Sequence, residues 1–356
     1  MKAMSSSGRR PSLIPKTGLA AASLFLSGIL LALAFGSLLM GAGSTPASDA
    51  LAYLMFDPVA RTDTHLSMVI GELRFSRLLA ALLVGSALGS AGAMLQAVTR
   101  NPLAETGILG INGGAALAVV AGITYFNAVT AFSWLIWSFG GALAGCGLVL
   151  LVSRAKGRQM TPMRLVLAGI ALGASFRGLT SAILFANQVS YDQYRFWVLG
   201  SLAGLDPVMI RYMGPAVIAG LFGAALLARP VSALLLGDDT ARNLGYSPAL
   251  VRLASAGVVT LLAGASIALA GPIGFLGLMA PHGARIFTGP RMLPFILVSA
   301  LIGAILLLGA DMMARVVVKP FETPASVLVA IMGSPLMIYL AWRNKPLAMK
   351  AGPRGR

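Results

Sequence analysis

Uninterrupted apolar runs, each about as long as a bilayer crossing, recur along this chain. A helix needs about 20 apolar residues to span the hydrocarbon core, and segments of this kind follow one another from Leu19 to Trp342. Their boundaries read as 19–40, 69–98, 104–125, 129–152, 163–187, 207–228, 251–270, 275–288, 293–316 and 325–342. The runs lack the residue-by-residue alternation of a lipid-facing strand, so helices are expected and a β-barrel is not. Composition agrees. Charged residues make up 11% and hydrophobic residues 57%, with mean hydropathy +0.85, whereas a soluble domain carries roughly 25% charged residues. The expected fold is an all-α polytopic membrane protein of about ten transmembrane helices.

The net charge of +16 could suggest nucleic acid, but its distribution points elsewhere. With the N-terminus inside, 19 of the 27 Lys and Arg fall in cytoplasmic segments, beside only three acids, Glu105, Asp238 and Asp239. Seven basic and eight acidic residues fall outside, and Arg177 lies within a span. This is the positive-inside asymmetry. Basic residues therefore report orientation, both termini are expected in the cytoplasm, and no nucleic-acid partner is implied.

The chain divides into a polar basic tail over 1–18, a single transmembrane domain over 19–342 and a second basic tail over 343–356. The stretch 19–40 exceeds the 7–15-residue core of a signal peptide, so it reads as an uncleaved first span. Residues 41–68 form the longest outer connection. On the inner side, 153–162 and 229–250 stand out. The second is too polar to span, yet Asp238 and Asp239 suit a helix start and Gly245 a helix end. Glycines at four-residue spacing, Gly85 with Gly89, Gly141 with Gly145 and Gly169 with Gly173, suit close helix approach in lipid. Cys146 stands alone, which excludes an intramolecular disulfide.

Several chemistries lack their residues. There is no G-x-x-x-x-G-K-[ST] for nucleotide phosphates, no H-E-x-x-H and no C-x-x-C. An ion-coupled carrier usually keeps ionisable groups within its spans. Here Arg177, and Asp311 with Arg315 near an outer end, are the candidates. His282, in "GFLGLMAPHGARIFTG", is the best base for an intramembrane hydrolase, His65 being in an outer loop, but no G-x-S-x-G elbow accompanies it. Pro281 is expected to bend or break the helix there, which makes this stretch a short broken span and not a catalytic centre. No catalytic, metal or cofactor site is assigned.

Four blocks share a pattern with one known family: "LRFSRLLAALLVGSALGSAGAMLQAVTRNPLAETGILGINGGAALA" (73–118), "RLVLAGIALGA" (164–174), "LLLGDDTARNLGY" (234–246) with "ALAGPIGFLGLMAPHGAR" (268–285), and "GADMMARVVVKPFETPASVLVAIMGSPLMIYL" (309–340). In these the chain resembles the FecCD-type permeases of ABC importers, which carry ferric siderophores, haem or cobalamin across the bacterial inner membrane. The resemblance implies two permease subunits around one pathway, two cytoplasmic ATP-binding subunits and a periplasmic substrate-binding protein. ATP hydrolysis then belongs to a separate chain, and the missing P-loop follows.

The resemblance also assigns positions. Arg74, Arg77 and Arg315 match arginines that meet acidic residues of the binding protein, a role suited to bidentate guanidinium pairing; anchoring of helix ends is the plainer alternative. The segment Leu236–Ser247, with Gly237, Asp238, Asp239, Ala241, Leu244 and Gly245, resembles the element that couples to the ATPase. Ala241, Leu244 and Gly245 are expected to present a small apolar face. Thr161 and Pro162 fall at the family's cytoplasmic gate, although proline departs from the small polar residue expected there. Arg177, near mid-membrane, has no family counterpart. Either it faces the pathway and favours an anionic chelate, or it forms a structural ion pair or bonds helix carbonyls. The resulting expectation is an importer permease for an iron(III)–siderophore chelate. The alternatives are haem or cobalamin as cargo, or an ion-coupled secondary carrier.

Overall fold

A computed structural model describes residues 16–41, 45–154, 161–318 and 321–343. The tails expected over 1–18 and 343–356 lie almost wholly outside these residues. The helices are α1 (Lys16–Leu39), α2 (Ala47–Leu54), α3 (Pro58–Thr62), α4 (Thr64–Leu66), α5 (Phe75–Thr99), α6 (Ile111–Phe126), α7 (Ala131–Arg154) and α8 (Pro162–Ala186). After them come α9 (Gln188–Val198), α10 (Pro207–Leu226), α11 (Ala228–Leu235), α12 (Asp238–Asn243), α13 (Pro248–Ala270), α14 (Leu276–Thr288), α15 (Met292–Val317) and α16 (Ala325–Arg343). A π-helical stretch, Ser67–Arg74, joins α4 to α5, so helix runs unbroken from Thr64 to Thr99. No strand occurs among the described residues.

Among the described residues, seven of the helical segments are long and apolar enough to cross a membrane. Each of the ten apolar runs coincides with a helix, and α6, α14 and α16 are the shorter ones. The hub is α5, which is almost entirely buried and packs along α13, α14 and α15. Beyond α15 lies α1, which is largely exposed. A second group, α6 with α7 and α8, joins the hub through α13. After α1, Ala50, Ala60, Leu66 and Ile70 gather α2, α3 and α4 into a small separate core.

Glycine sets the close approaches. A Cβ on Gly85 would come within 2.6 Å of Ala304 Cα, so α5 and α15 meet backbone to backbone. Gly145 likewise faces the backbone of Gly110 and Gly114. Without a hydrophobic drive between helices in lipid, such contact is what holds a bundle.

Two expectations change. The third span was placed at 104–125, but α6 begins only at Ile111. Before it come a 3-10 turn, Thr106–Leu109, and Gly110 at φ 72°. The cause is local, since Pro102 and two glycines oppose a continuous helix. The turn is also tucked inward: Gly169, seven residues into α8, lies directly against the Ile108 carbonyl, about 10 Å along that helix. Secondly, α14 does not break at Pro281. The break falls earlier, over 271–275, where Gly271 has φ 72° and Phe275 φ 65°. Pro281 cannot donate to the Gly277 carbonyl, and that carbonyl packs against Gly92 of α5. The helix tolerates the proline because α5 fits itself to the place where the bond is missing.

Candidate functional site

Three groups of side chains stand out, one at each end of the bundle and one between them. At the end of the bundle where α1 finishes, Asp311 of α15 is fully buried and takes two arginines. Arg77 Nε donates to Asp311 Oδ1 at 2.8 Å, and Arg315 Nη2 donates to Oδ2. Arg77 Nη1 also reaches Glu322 Oε2 at 2.6 Å. The last carbonyls of α1 lack intrahelical donors, and two guanidiniums satisfy them. Arg315 Nη1 donates to the Ser37 and Met40 carbonyls at 2.9 and 3.1 Å. Arg74 Nη1 donates to those of Leu38 and Leu39 at 2.8 and 2.9 Å. Positive charge also complements the helix C-terminus. Gly41 makes room, since a Cβ there would come within 2.7 Å of Arg74 Nη2. Arg74 and Arg315 are thus buried caps, while Arg77 and Glu322 lie nearer the solvent. All four line a cavity of about 410 Å³ at this end that also includes His65.

Between the ends, Glu105 joins two irregular segments distant in sequence. Its Oε1 accepts from the Phe275 N–H at 2.8 Å. Phe275 itself is held left-handed, a costly conformation for a bulky residue, and its side chain packs on Gly333 of α16. Gly271, in the same break, meets the Trp197 carbonyl, and Gly200 meets that of Pro272. Sequence reasoning placed Glu105 simply among cytoplasmic acids. A lone glutamate in a loop carries no local signal that its partner is an amide in a break 170 residues away.

Arg177 lies on α8 about 22 Å from its start and is exposed on the surface of the chain. No carboxylate pairs with it among the described residues. Its Nη1 lies over Gly173, one turn back, where a Cβ would be 3.8 Å away. At the start of α8, Thr161 is the N-cap: its hydroxyl oxygen accepts from the Arg164 N–H at 3.4 Å, and Pro162 occupies the first helical position, as proline's fixed φ favours. The preceding residues 155–160 lie outside the described residues.

At the opposite end of the bundle, α12 forms where the acids and glycines suggested, with altered roles. Gly237, at φ 122°, precedes the helix, while Asp238 and Asp239 occupy its first turn. Gly245, at φ 84°, closes it: its N–H donates to the Arg242 carbonyl and that of Tyr246 to Ala241, both at 2.9 Å. This double closure is the Schellman arrangement. Ala241 was expected on the presented face but is fully buried; Leu236 and Leu244 are the exposed apolar side chains. The helix is tied down by Asp238. Arg252 Nη2, from α13, donates to both its oxygens at 2.7 and 2.8 Å, and Arg100 Nη2, just past α5, reaches Oδ1 at 3.0 Å. The Arg252 hydrogen bonds, helped by both guanidinium charges, hold the Asp238 carboxyl below the usual carboxylate range against an opposing effect of burial. Arg100 also donates to the Leu234 carbonyl. A displacement of α12 must therefore be felt at α5 and α13.

No cluster of His, Cys, Asp and Glu suited to a metal occurs among the described residues. His282 is half-buried on α14, and Cys146 is buried on α7.

Known proteins match this arrangement over most of its length. The FecCD transport family model matches residues 29–343. The ferric enterobactin transport system permease protein FepD of Escherichia coli (strain K12) is 42% identical over 310 residues, covering 86% of this chain and 91% of that protein. The probable siderophore transport system permease protein YfiZ of Bacillus subtilis (strain 168) is 38% identical over 309 residues, again 86% and 91%. A solved structure described as an inward-facing conformation of a metal-chelate type ABC transporter superposes with TM-score 0.79 at 26% identity, covering 91% of this chain and 99% of that one.

Proposed function

The chain belongs to the FecCD transport family, and on that premise we propose that it is the permease subunit of an ATP-driven importer for a ferric siderophore-type chelate. Ten helices cross the bacterial inner membrane, with both termini in the cytoplasm. A second permease subunit, identical or paralogous, completes the pathway, and two ATP-binding subunits hydrolyse nucleotide outside this chain. The observation that carries this reading is the anchoring of α12 through Asp238 to Arg100 and Arg252. A short, doubly tied helix at the inner face is a lever that a partner can push, and it ends on the two helices at the centre of the bundle.

In this reading Gly237, Asp238, Asp239, Leu244 and Gly245 form the coupling element, with Ala241 as its inward-facing contact. The outer cavity, with Arg77 and Glu322 toward solvent and Arg74 and Arg315 behind them, is where a periplasmic binding protein docks. Thr161 and Pro162 stand at the inner gate. Arg177, exposed without a carboxylate partner at a depth where charge must face protein or water, lines the pathway and favours an anionic chelate.

Reconstitution tests the reading. Vesicles holding this chain, its partner permease, the ATP-binding subunits and the binding protein should accumulate a ferric chelate only when ATP is supplied. Uphill accumulation by this chain alone would overturn it. For Arg177, uptake of anionic chelates should fall in Arg177→Ala while uptake of neutral chelates is spared; equal losses would remove the selectivity role.

A further inference from the structure

We propose that the inner end of the bundle carries a binding site for the phosphate headgroup of an anionic phospholipid. The ends of α5, α11 and α14 and the start of α15 enclose a cavity of about 410 Å³. Its polar lining includes Gln96, Arg100, Arg285 and Arg291, and its apolar wall includes Leu235 and Phe295. Arg285 Nη2 donates to Gln96 Oε1 at 2.8 Å, and its guanidinium lies 5.4 Å from the centre of the Phe295 ring. This bond engages the Gln96 oxygen and leaves the amide nitrogen of this lining residue as a donor. Gln96 is 2% exposed, and its Nε2 has no hydrogen-bond partner among the described residues. Buried amide donors are nearly always satisfied, so this one points to a missing acceptor.

The charge balance agrees. Among the described residues neither Arg285 nor Arg291 has a carboxylate partner, and Arg100 shares its carboxylate, Asp238, with Arg252. Three guanidiniums offer donors only, and the Gln96 amide, its oxygen engaged by Arg285, adds an N–H donor. The first N–H groups of the 26-residue α15 begin at Met292, on the same cavity wall, and favour negative charge there. A ligand rich in acceptor oxygens and carrying negative charge fits, and guanidinium forks match phosphate oxygens.

Free phosphate and a lipid headgroup share that chemistry, but the rim favours lipid. Leu235, in the lining, is exposed, as are Ile286 and Leu293, each next in sequence to a lining residue. Acyl chains would cover these side chains while the headgroup enters the cavity. Basic pockets between helices on the cytoplasmic side suit anionic headgroups.

The full chain, purified in detergent, would be titrated with dioctanoyl phosphatidylglycerol, dioctanoyl phosphatidylcholine and inorganic phosphate. Native mass spectrometry and the melting midpoint would read binding. Phosphatidylglycerol should bind and raise the midpoint, and the other two should do neither at equal concentration. Arg285→Gln with Arg291→Gln should weaken that binding by about fivefold per guanidinium removed, while Arg229→Gln, an inner-side control, should not. If the double variant fails to fold, Arg291→Gln alone, at an exposed position, carries the same comparison. Binding unchanged by these substitutions would overturn the site. An equal effect of inorganic phosphate would overturn its assignment to lipid.

Discussion

Gly92 of α5 and Gly277 of α14 are in backbone contact: a Cβ on Gly92 would fall inside the van der Waals envelope of the Gly277 carbonyl oxygen and within 2.8 Å of its Cα. Both sides of this contact are backbone, so neither can swing away. The oxygen is also the one that Pro281 leaves without its helical donor. Gly92→Ala should therefore destabilise the bundle by at least about 2 kcal/mol, the range of overpacking without relief. The melting midpoint in detergent checks this, with Gly140→Ala as control because open space surrounds that glycine. Equal midpoints for the two variants would contradict the packing argument.

Glu105 satisfies the Phe275 amide across the two irregular segments. Glu105→Ala leaves that amide without its acceptor, at a cost of about 1–3 kcal/mol, whereas Glu105→Gln keeps a carbonyl oxygen in place. Hydrogen exchange at the Phe275 amide should accelerate strongly in the alanine variant and little in the glutamine variant. Similar acceleration in both would mean that charge, not hydrogen bonding, holds the break.

Asp311 is the shared anion of the outer cluster, with no exposed surface. Removing one member of a buried ionic network leaves uncompensated charge and costs about 3–5 kcal/mol. Asp311→Ala should thus lose more stability than Glu322→Ala, whose carboxylate is 30% exposed and meets Arg77. Thermal denaturation of the two variants checks the order.

The inner tether responds to acid. The carboxyl of Asp238 titrates lower in the folded chain than in the unfolded one, where it titrates at about 3.9. Its contribution is therefore complete above that pH and is lost as pH falls through the lower folded value. Asp238→Asn should weaken the tether at neutral pH and remove this part of the acid sensitivity. A label on α12, followed by fluorescence anisotropy, should show increased motion in the variant at pH 7 and in the parent chain only in acid.

Coupling through the same tether gives a transport prediction. Arg252 donates to both oxygens of Asp238, so Arg252→Gln should lower chelate uptake more than ATP hydrolysis in the reconstituted assembly. An unchanged ratio of transport to hydrolysis would show that α12 acts without this link.

Local signals in the chain were enough to place its long apolar helices, though not the start of α6 or the short helices α2, α3, α4 and α9. Each apolar run is a helix because lipid admits no unpaired backbone, and α12 follows from acids, a left-handed glycine and the polar residues around them. What tertiary structure alone decided is which groups meet. In the sequence Arg74 and Arg315 read as docking arginines or anchors of helix ends, and only the fold shows that α1 ends beside them and presents its carbonyls. Nothing near Pro281 in the chain says that Gly92 lies against its turn, or that the break belongs at 271–275. Glu105 and Phe275 are likewise brought together only by packing. Such pairings depend on shape and depth in the bundle, where one methyl group or one unsatisfied amide decides the arrangement, and neither leaves a periodic mark on the chain.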